Sequence, residues 1–306
     1  MTAVEVRSAD PALREAIRGW IEEGRISPPR PLLLDVSVGA VDPPRPDDPR
    51  PVFEQPEVRI YSGGADGTVT LWWTHAPATT HLAAAAGRAE MRLSPEAAGR
   101  AADRLRHFVI TSLIFLLRRA GWHHVHGATA VDPRGRGWLL AGNSHAGKST
   151  TAALLAARGW AIGTDDIAFL GDSPAGRVAV HAFRSRLALR PGGEELLART
   201  GGLPLPGRGK IGFWPEELGG GWVPVIEPDV LLFTQVGDGA TAVRPVRPGE
   251  VLAQLVRWSA WVALEPALAQ EHLDLLARLG AQARAFRVNL GRDLFDDPTL
   301  LERLIP

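Results

Sequence analysis

Apolar side chains recur along this chain with two periods, and the places where the period changes mark its elements. From Pro11 to Glu23 the apolar positions Leu13, Ile17 and Ile21 fall four apart, which sets them on one face of an amphipathic helix. The next run, RPLLLDVSVGAV, reads as a strand. DPPRPDDPRP, from Asp42 to Pro51, holds too much proline for helix or sheet and reads as a loop or linker. In VRIYSGGADGTVTLWWTH two β-rich runs flank a Gly/Asp turn, the pattern of a hairpin. LSPEAAGRAADRLRHFVITSLIFLLRRAG then stacks helix signals: Ser94 as N-cap, Pro95 at the first helical position, Glu96 early, arginines late and Gly121 at the stop. It predicts one long helix with room for a kink.

Beyond that helix strand and helix patterns alternate. HHVHGATAV is a strand, DPRGRG a tight turn, GWLLAG a strand, KSTTAALLAARG a helix and WAIGTDDIAFL a strand, with further short strands near Val178 to Leu189. A strand at DVLLFTQV, helices near Gly249 to Trp261 and Pro266 to Leu279, a strand at RAFRVNL and a final short helix complete the chain. The order predicts a layered α/β domain over residues 94–306, preceded by a small α+β module over residues 1–93. Trp258 and Trp261, three apart, read as core positions of one helix.

Composition narrows the function. With 306 residues the chain is long enough to bury a substantial core, and its formal net charge is zero with both signs dispersed, so nucleic acid and membrane surfaces are not expected partners. The absence of cysteine excludes disulfides, thiolate zinc sites and a cysteine nucleophile. The first residues, MTAVEVRSADPALREAIRGW, lack the apolar run of a secretory signal, and Phe108 to Leu117 is far shorter than the roughly 20 residues that span a bilayer. A cytoplasmic protein is expected; self-association is left open.

Only two of the 34 basic side chains are lysines, and one sits in GNSHAGKS, residues 142–149. This stretch matches G-x-x-x-x-G-K-[ST] and lies where such a loop must lie, after an apolar strand and at the start of a helix. Glycine lets the backbone turn its N–H groups onto phosphate oxygens, and the helix N-terminus adds unpaired donors. A compact ammonium on a flexible stem suits a phosphate chain inside so tight a nest better than a planar guanidinium does. The candidate ATP-binding set is therefore Gly142, Asn143, Ser144, His145, Ala146, Gly147, Lys148, Ser149 and Thr150, with Ser149 expected on Mg²⁺ and the His145 ring expected towards solvent.

Asp165 and Asp166 interrupt the next strand. Neighbours on a strand face opposite sides, so their carboxylates are expected to have different partners: one for Mg²⁺ or its water, the other for the proton of an attacking hydroxyl. In HHVHG, His124 and His126 share a face, which allows a metal pair but offers no third ligand at regular spacing. His126, beside Gly127, is placed near the nucleotide.

His126-Gly127, the loop Gly142 to Ser149 and Asp165-Asp166, in this order, resemble the catalytic domain of HPr kinase/phosphorylase. The likeness covers residues 123–170, in the stretches VHGATAV, GNSHAGKS and LAARGWAIGTDDIAFL. It implies the mixed-sheet α/β fold shared with phosphoenolpyruvate carboxykinases and transfer of the ATP γ-phosphate to a serine hydroxyl. It further implies Lys148 on the β/γ-phosphates, Ser149 on Mg²⁺, Asp166 as general base, His126 supporting it and Asp165 close by, the last a candidate metal ligand with Ser149. Asn143 and His145 stand where the family has Asp and Gly, and Thr150 where glutamate usually comes next. These departures point away from HPr as acceptor and towards the related kinases of ribosomal-peptide pathways, including lasso-peptide kinases. Such enzymes phosphorylate a hydroxyl of a peptide.

The other lysine, Lys210, lies in LPLPGRGKIGFWPEELGGGW, which reads as a long irregular loop. Lys210 or Arg208 is a candidate basic finger on the transferred phosphoryl group, reaching in from a mobile flap, and Phe213, Trp214 and Trp222 a candidate apolar shelf for a peptide. A small-molecule alcohol kinase and a non-catalytic nucleotide-binding partner protein are the competing readings.

Overall fold

The computed structural model describes residues 4–42, 50–62, 67–83, 87–99, 102–190, 203–205 and 209–305. The chain divides into two compact units: Met1–His123 with Ala260–His272, and His124–Ser259 with Leu273–Pro306. Among the described residues no helix is long and apolar enough to cross a membrane.

The first unit is built on a seven-stranded sheet in the order Val4–Ser8, Leu32–Val38, Arg88–Leu93, Ala78–Leu82, Val69–Trp73, Val58–Ser62 and Phe53–Glu54. The first three strands run parallel, the rest antiparallel. The helix Pro11–Glu23 makes the parallel crossover, opened by the Asp10 carboxylate, which accepts the N–H groups of Ala12 and Leu13 at 2.9 and 3.0 Å. Leu13, Ile17 and Ile21 are its buried face. The hairpin read from the sequence is the pair Val58–Ser62 and Val69–Trp73.

Two expectations change here. The single long helix is two: Pro95–Ala98 stops at Gly99, whose N–H turns back to the Pro95 carbonyl, and Ala102–Arg118 comes after it. Glycine, a poor helix residue, interrupts the run after one turn capped by Ser94. The units also do not divide after residue 93. The apolar helix Ala102–Arg118 packs onto the first sheet, with Phe108 stacked on Trp73 at 5.7 Å and the Ser112 hydroxyl 2.8 Å from that of Thr80. Phe115 meets Trp261 at 4.9 Å, which draws Ala260–His272 into the same unit.

The second unit is a mixed α/β layer. Its sheet of ten strands runs Val225–Ile226, Val178–Ala182, Ile167–Asp172, His123–Val131, Gly137–Ala141, Pro228–Val236, Arg284–Leu290 and Ala242–Pro245, with Ala161–Ile162 and Gly221–Trp222 off this path. Gly137–Ala141, Pro228–Val236 and Arg284–Leu290 are parallel, whereas His123–Val131 is antiparallel to Gly137–Ala141. The helix Lys148–Ala156 covers this sheet through Ala152, Leu154 and Leu155, beside Trp138 and Trp160, whose rings meet edge to face at 5.1 Å. A small antiparallel sheet, Leu187–Leu189, Lys210–Phe213 and Leu203–Leu205, joins the same core.

Candidate functional site

The strand Gly137–Ala141 ends at Gly142, and the helix Lys148–Ala156 starts from Gly147. Both glycines are required by geometry. A Cβ on Gly142 would lie 2.7 Å from the Thr234 carbonyl oxygen and 2.9 Å from the Ala146 Cβ, while Gly147 has φ of 85°, left-handed backbone that side chains resist. Between them Ala146 N–H bonds the Asn143 carbonyl at 3.1 Å, with Asn143, Ser144 and His145 exposed at the tip. His145 is itself left-handed, at φ of 70°. Its ring does not simply face solvent: Nε2 lies 3.0 Å from a guanidinium nitrogen of Arg190.

Lys148 is buried, at 6% exposure, and its Nζ donates to the carbonyls of Gly142 and Asn143 at 2.8 and 3.0 Å. Burial pushes its ammonium pKa down; the carboxylates of Asp166 and Asp165 oppose that, and the charge of Lys210 adds to it. No side chain caps the helix that Lys148 opens. Its first N–H groups, the backbone nest and the folded-back ammonium together form a cradle of donors suited to an anion.

Asp165 and Asp166 lie on a bend between Ala161–Ile162 and Ile167–Asp172, not within a strand as expected. The backbone leaves the ladder because Thr129 takes over the bonding: its N–H donates to the Thr164 carbonyl at 2.8 Å, and its hydroxyl oxygen accepts the Thr164 N–H at 3.1 Å. Gly163 permits this approach, since a Cβ there would stand 2.3 Å from the Thr129 hydroxyl. Gly127 N–H reaches the Asp166 carbonyl at 3.3 Å and completes the tie.

The bend gives the two carboxylates different surroundings. Asp165, 3% exposed, accepts the Ala188 N–H at 3.0 Å, with the Ser149 hydroxyl near enough to act on its charge. Burial pushes its pKa up and the Asp166 charge adds to this, against the pull of the Ala188 amide, the Ser149 hydroxyl and Lys210. Asp166 Oδ1 lies 2.9 Å from His126 Nδ1, and both side chains are about two-fifths exposed, at 42% and 37%. His124, by contrast, is buried with its ring edge on Phe169 at 6.0 Å. Among the described residues no three His, Asp or Glu side chains converge on one point.

Lys210 begins a strand, not a loop, and is near enough to act on the charges of both Lys148 and Asp165. Arg208 lies outside the described residues. Phe213 is 3% exposed and belongs to the core, so it forms no part of a shelf; Trp214 and Trp222 are half-buried. Trp258 and Trp261 share no α-helix, because Pro248–Arg257 ends before Trp258, and each is only half-buried.

Comparison with protein-family models and with curated proteins finds no match. Among solved structures the chain is similar to the HPr(Ser) kinase/phosphatase from Coxiella burnetii, with 15% identity and a TM-score of 0.32, over 60% of this chain and 93% of that one. So low a TM-score supports no conclusion about chemistry, which has to come from the residues of the site.

The geometry adds partners that motif reading does not supply. Thr129 and Thr234 shape the bend and the loop, Ala188 contributes an amide to Asp165, and Arg190 meets the loop histidine. Thr129 lies within VHGATAV and Thr234 within DVLLFTQV, where neither stands out, and the sequence signal of Ala188 and Arg190 is that alternate positions after Phe183 are basic or small, in FRSRLALR.

Proposed function

We propose that the chain is an ATP- and Mg²⁺-dependent kinase that transfers the γ-phosphate to a hydroxyl, serine first among candidates, of a peptide or small protein. The observation that carries this reading is the split pair beside the lysine loop: a buried Asp165 close to Ser149, and a half-exposed Asp166 paired with His126 at 2.9 Å. A protein that only binds nucleotide has no use for the second.

In this reading the N–H groups of residues 142–150 and the Lys148 ammonium hold the β- and γ-phosphates, the lysine giving up its loop carbonyls to do so. Ser149 and Asp165 hold Mg²⁺, which supplies neutralising charge when bound. Asp165 is then a carboxylate whose unfavourable burial is relieved by a cation. His126 orients Asp166, which accepts the proton as the acceptor oxygen bonds to the γ-phosphorus and the bond to the β-phosphate oxygen breaks. Lys210 stabilises charge developing on the phosphoryl group. The exposure of Asp166 and His126 favours a peptide laid across an open site over a small alcohol in a closed pocket. A ribosomally made peptide, as the resemblance implies, is the first acceptor to try.

The test is transfer of label from γ-labelled ATP to serine-containing peptides by the wild type, Asp166→Asn and Lys148→Ala chains. Transfer that both variants lose supports the assignment. ATP hydrolysis with no transfer to any acceptor refutes it in favour of a nucleotide-binding partner protein.

A further inference from the structure

Residues 183–190 run past the whole candidate site. Phe183 N–H bonds the Ile167 carbonyl at 3.0 Å, next to the pair Ala168 and Ala182, which brings the segment in beside the bend that carries Asp166. Ala188 bonds Asp165 and Arg190 meets His145. Leu187 and Leu189 are buried, while Arg184, Ser185, Arg186 and Ala188 are half-buried.

Two arginines of this segment are held in an unusual way. The Arg184 guanidinium lies over Trp214 at 4.2 Å and Trp222 at 5.5 Å, and that of Arg186 over Trp214 at 4.7 Å. Trp222 Nε1 donates to the Gly163 carbonyl at 3.1 Å, which ties the stack to the bend that carries the aspartates. Stacking fixes the plane of a guanidinium and leaves its fork of donors presented edge-on. Each fork is now met by a glutamate: Glu216 on Arg184 at 2.9 Å and Glu217 on Arg186 at 3.1 Å. The arginine side chains are only 15% and 19% exposed, the glutamates 45% and 43%. Glu217 also accepts the Trp214 N–H at 2.7 Å and is held in place by it, whereas Glu216 reaches Arg184 from an exposed side chain; among the described residues the buried Nε of Arg184 has no hydrogen-bond partner. Glu216 is therefore the carboxylate that an incoming one can displace.

We infer that Arg184 and Arg186 select an acidic peptide, a carboxylate of the acceptor within two or three residues of its hydroxyl taking the place of Glu216 on Arg184 and sharing the neighbouring charge of Arg186 with Glu217. This rests on the kinase reading above and names the chemistry of its substrate. Arg184 and Arg186 contribute to recognition and take no part in the transfer itself.

The experiment is phosphorylation of a positional-scanning peptide library, with one fixed serine and every residue varied in turn at the flanking positions, by the full chain with γ-labelled ATP. The wild type is expected to favour Asp and Glu over Asn and Gln by about five- to tenfold in kcat/KM at one or two positions. Arg186→Gln is expected to flatten that preference. Arg184→Glu and Arg186→Glu are expected to invert it towards Lys and Arg, a change of sign that a misfolded chain cannot produce. Equal use of acidic and amide residues by the wild type, or an acidic preference that survives these substitutions, overturns the inference and leaves the kinase reading standing. No transfer to any library member by a wild-type chain that binds ATP refutes the kinase reading itself, and the inference with it.

Discussion

Asp165→Asn separates the stability of this fold from its proposed chemistry. The amide has nearly the shape of the carboxylate, and its oxygen can still accept the Ala188 N–H at 3.0 Å. Lost are the charge of a side chain 3% exposed and its repulsion with Asp166; lost on the other side are attraction to Lys148 and Lys210 and the charge beside the Ser149 hydroxyl. Because burial pushes the folded pKa above the ordinary 3.8, the folded chain binds the proton more tightly than the unfolded one. The contribution to stability is therefore fully present below 3.8 and is lost as pH rises through the elevated folded value. Asparagine has no such slope. Burial outweighs the attractions in that raised pKa, so the variant is expected to be the more stable chain at neutral pH without nucleotide. Its Tm should rise, by about 2–4 °C for each 1 kcal/mol gained in a unit of this size. The assay is thermal unfolding of both chains between about pH 4 and 8, with and without ATP and Mg²⁺. The gain should grow with pH in the free chain, and ATP with Mg²⁺ should stabilise the wild type far more than the variant, which should also lack transfer activity. A variant less stable than wild type at neutral pH, or a difference that does not change with pH, refutes the reasoning.

Three further outcomes are expected. Lys148→Ala removes the ammonium that bonds two loop carbonyls and faces both aspartates, and should weaken ATP binding about 10²-fold in a direct titration. Gly142→Ala forces a methyl group to 2.7 Å from the Thr234 carbonyl, and should cost about 1–3 kcal/mol in denaturant unfolding together with most nucleotide affinity. Trp222→Phe keeps a ring beside Arg184 but deletes the bond to Gly163; kcat should fall severalfold while KM for ATP stays within about twofold, since the bend moves and the loop does not.

How much of this is legible in the sequence depends on whether a residue acts through the backbone next to it or through a partner far along the chain. The helix Pro11–Glu23, the strand–loop–helix at 137–156 and the strands at 228–236 and 284–290 arise from local period and punctuation, which fix them before any packing. Val4–Ser8, Ala78–Leu82 and Arg88–Leu93 are short strands without turn signals of their own, and exist because neighbours pair with them. The site divides in the same way. Gly142, Gly147 and Lys148 form a local device with a spacing that can be read directly. The different environments of Asp165 and Asp166 are readable from their adjacency, but the expected cause, alternation along a strand, is not the one at work. Thr129, 36 residues before Asp165, bends the backbone through bonds to Thr164, and Ala188 supplies the amide that makes a buried carboxylate tolerable. Neither residue type carries chemistry in a sequence. The arginine–tryptophan stack is hidden for a further reason: Arg184 is separated from Trp214 and Trp222 by a long stretch of chain, and strand pairing brings them together, Leu187–Leu189 with Lys210–Phe213 for Trp214 and Val178–Ala182 with Val225–Ile226 for Trp222. A chain that keeps two lysines and uses arginine elsewhere can stack its other cations on indoles, and Arg184 and Arg186 are where this one does so beside the aspartates.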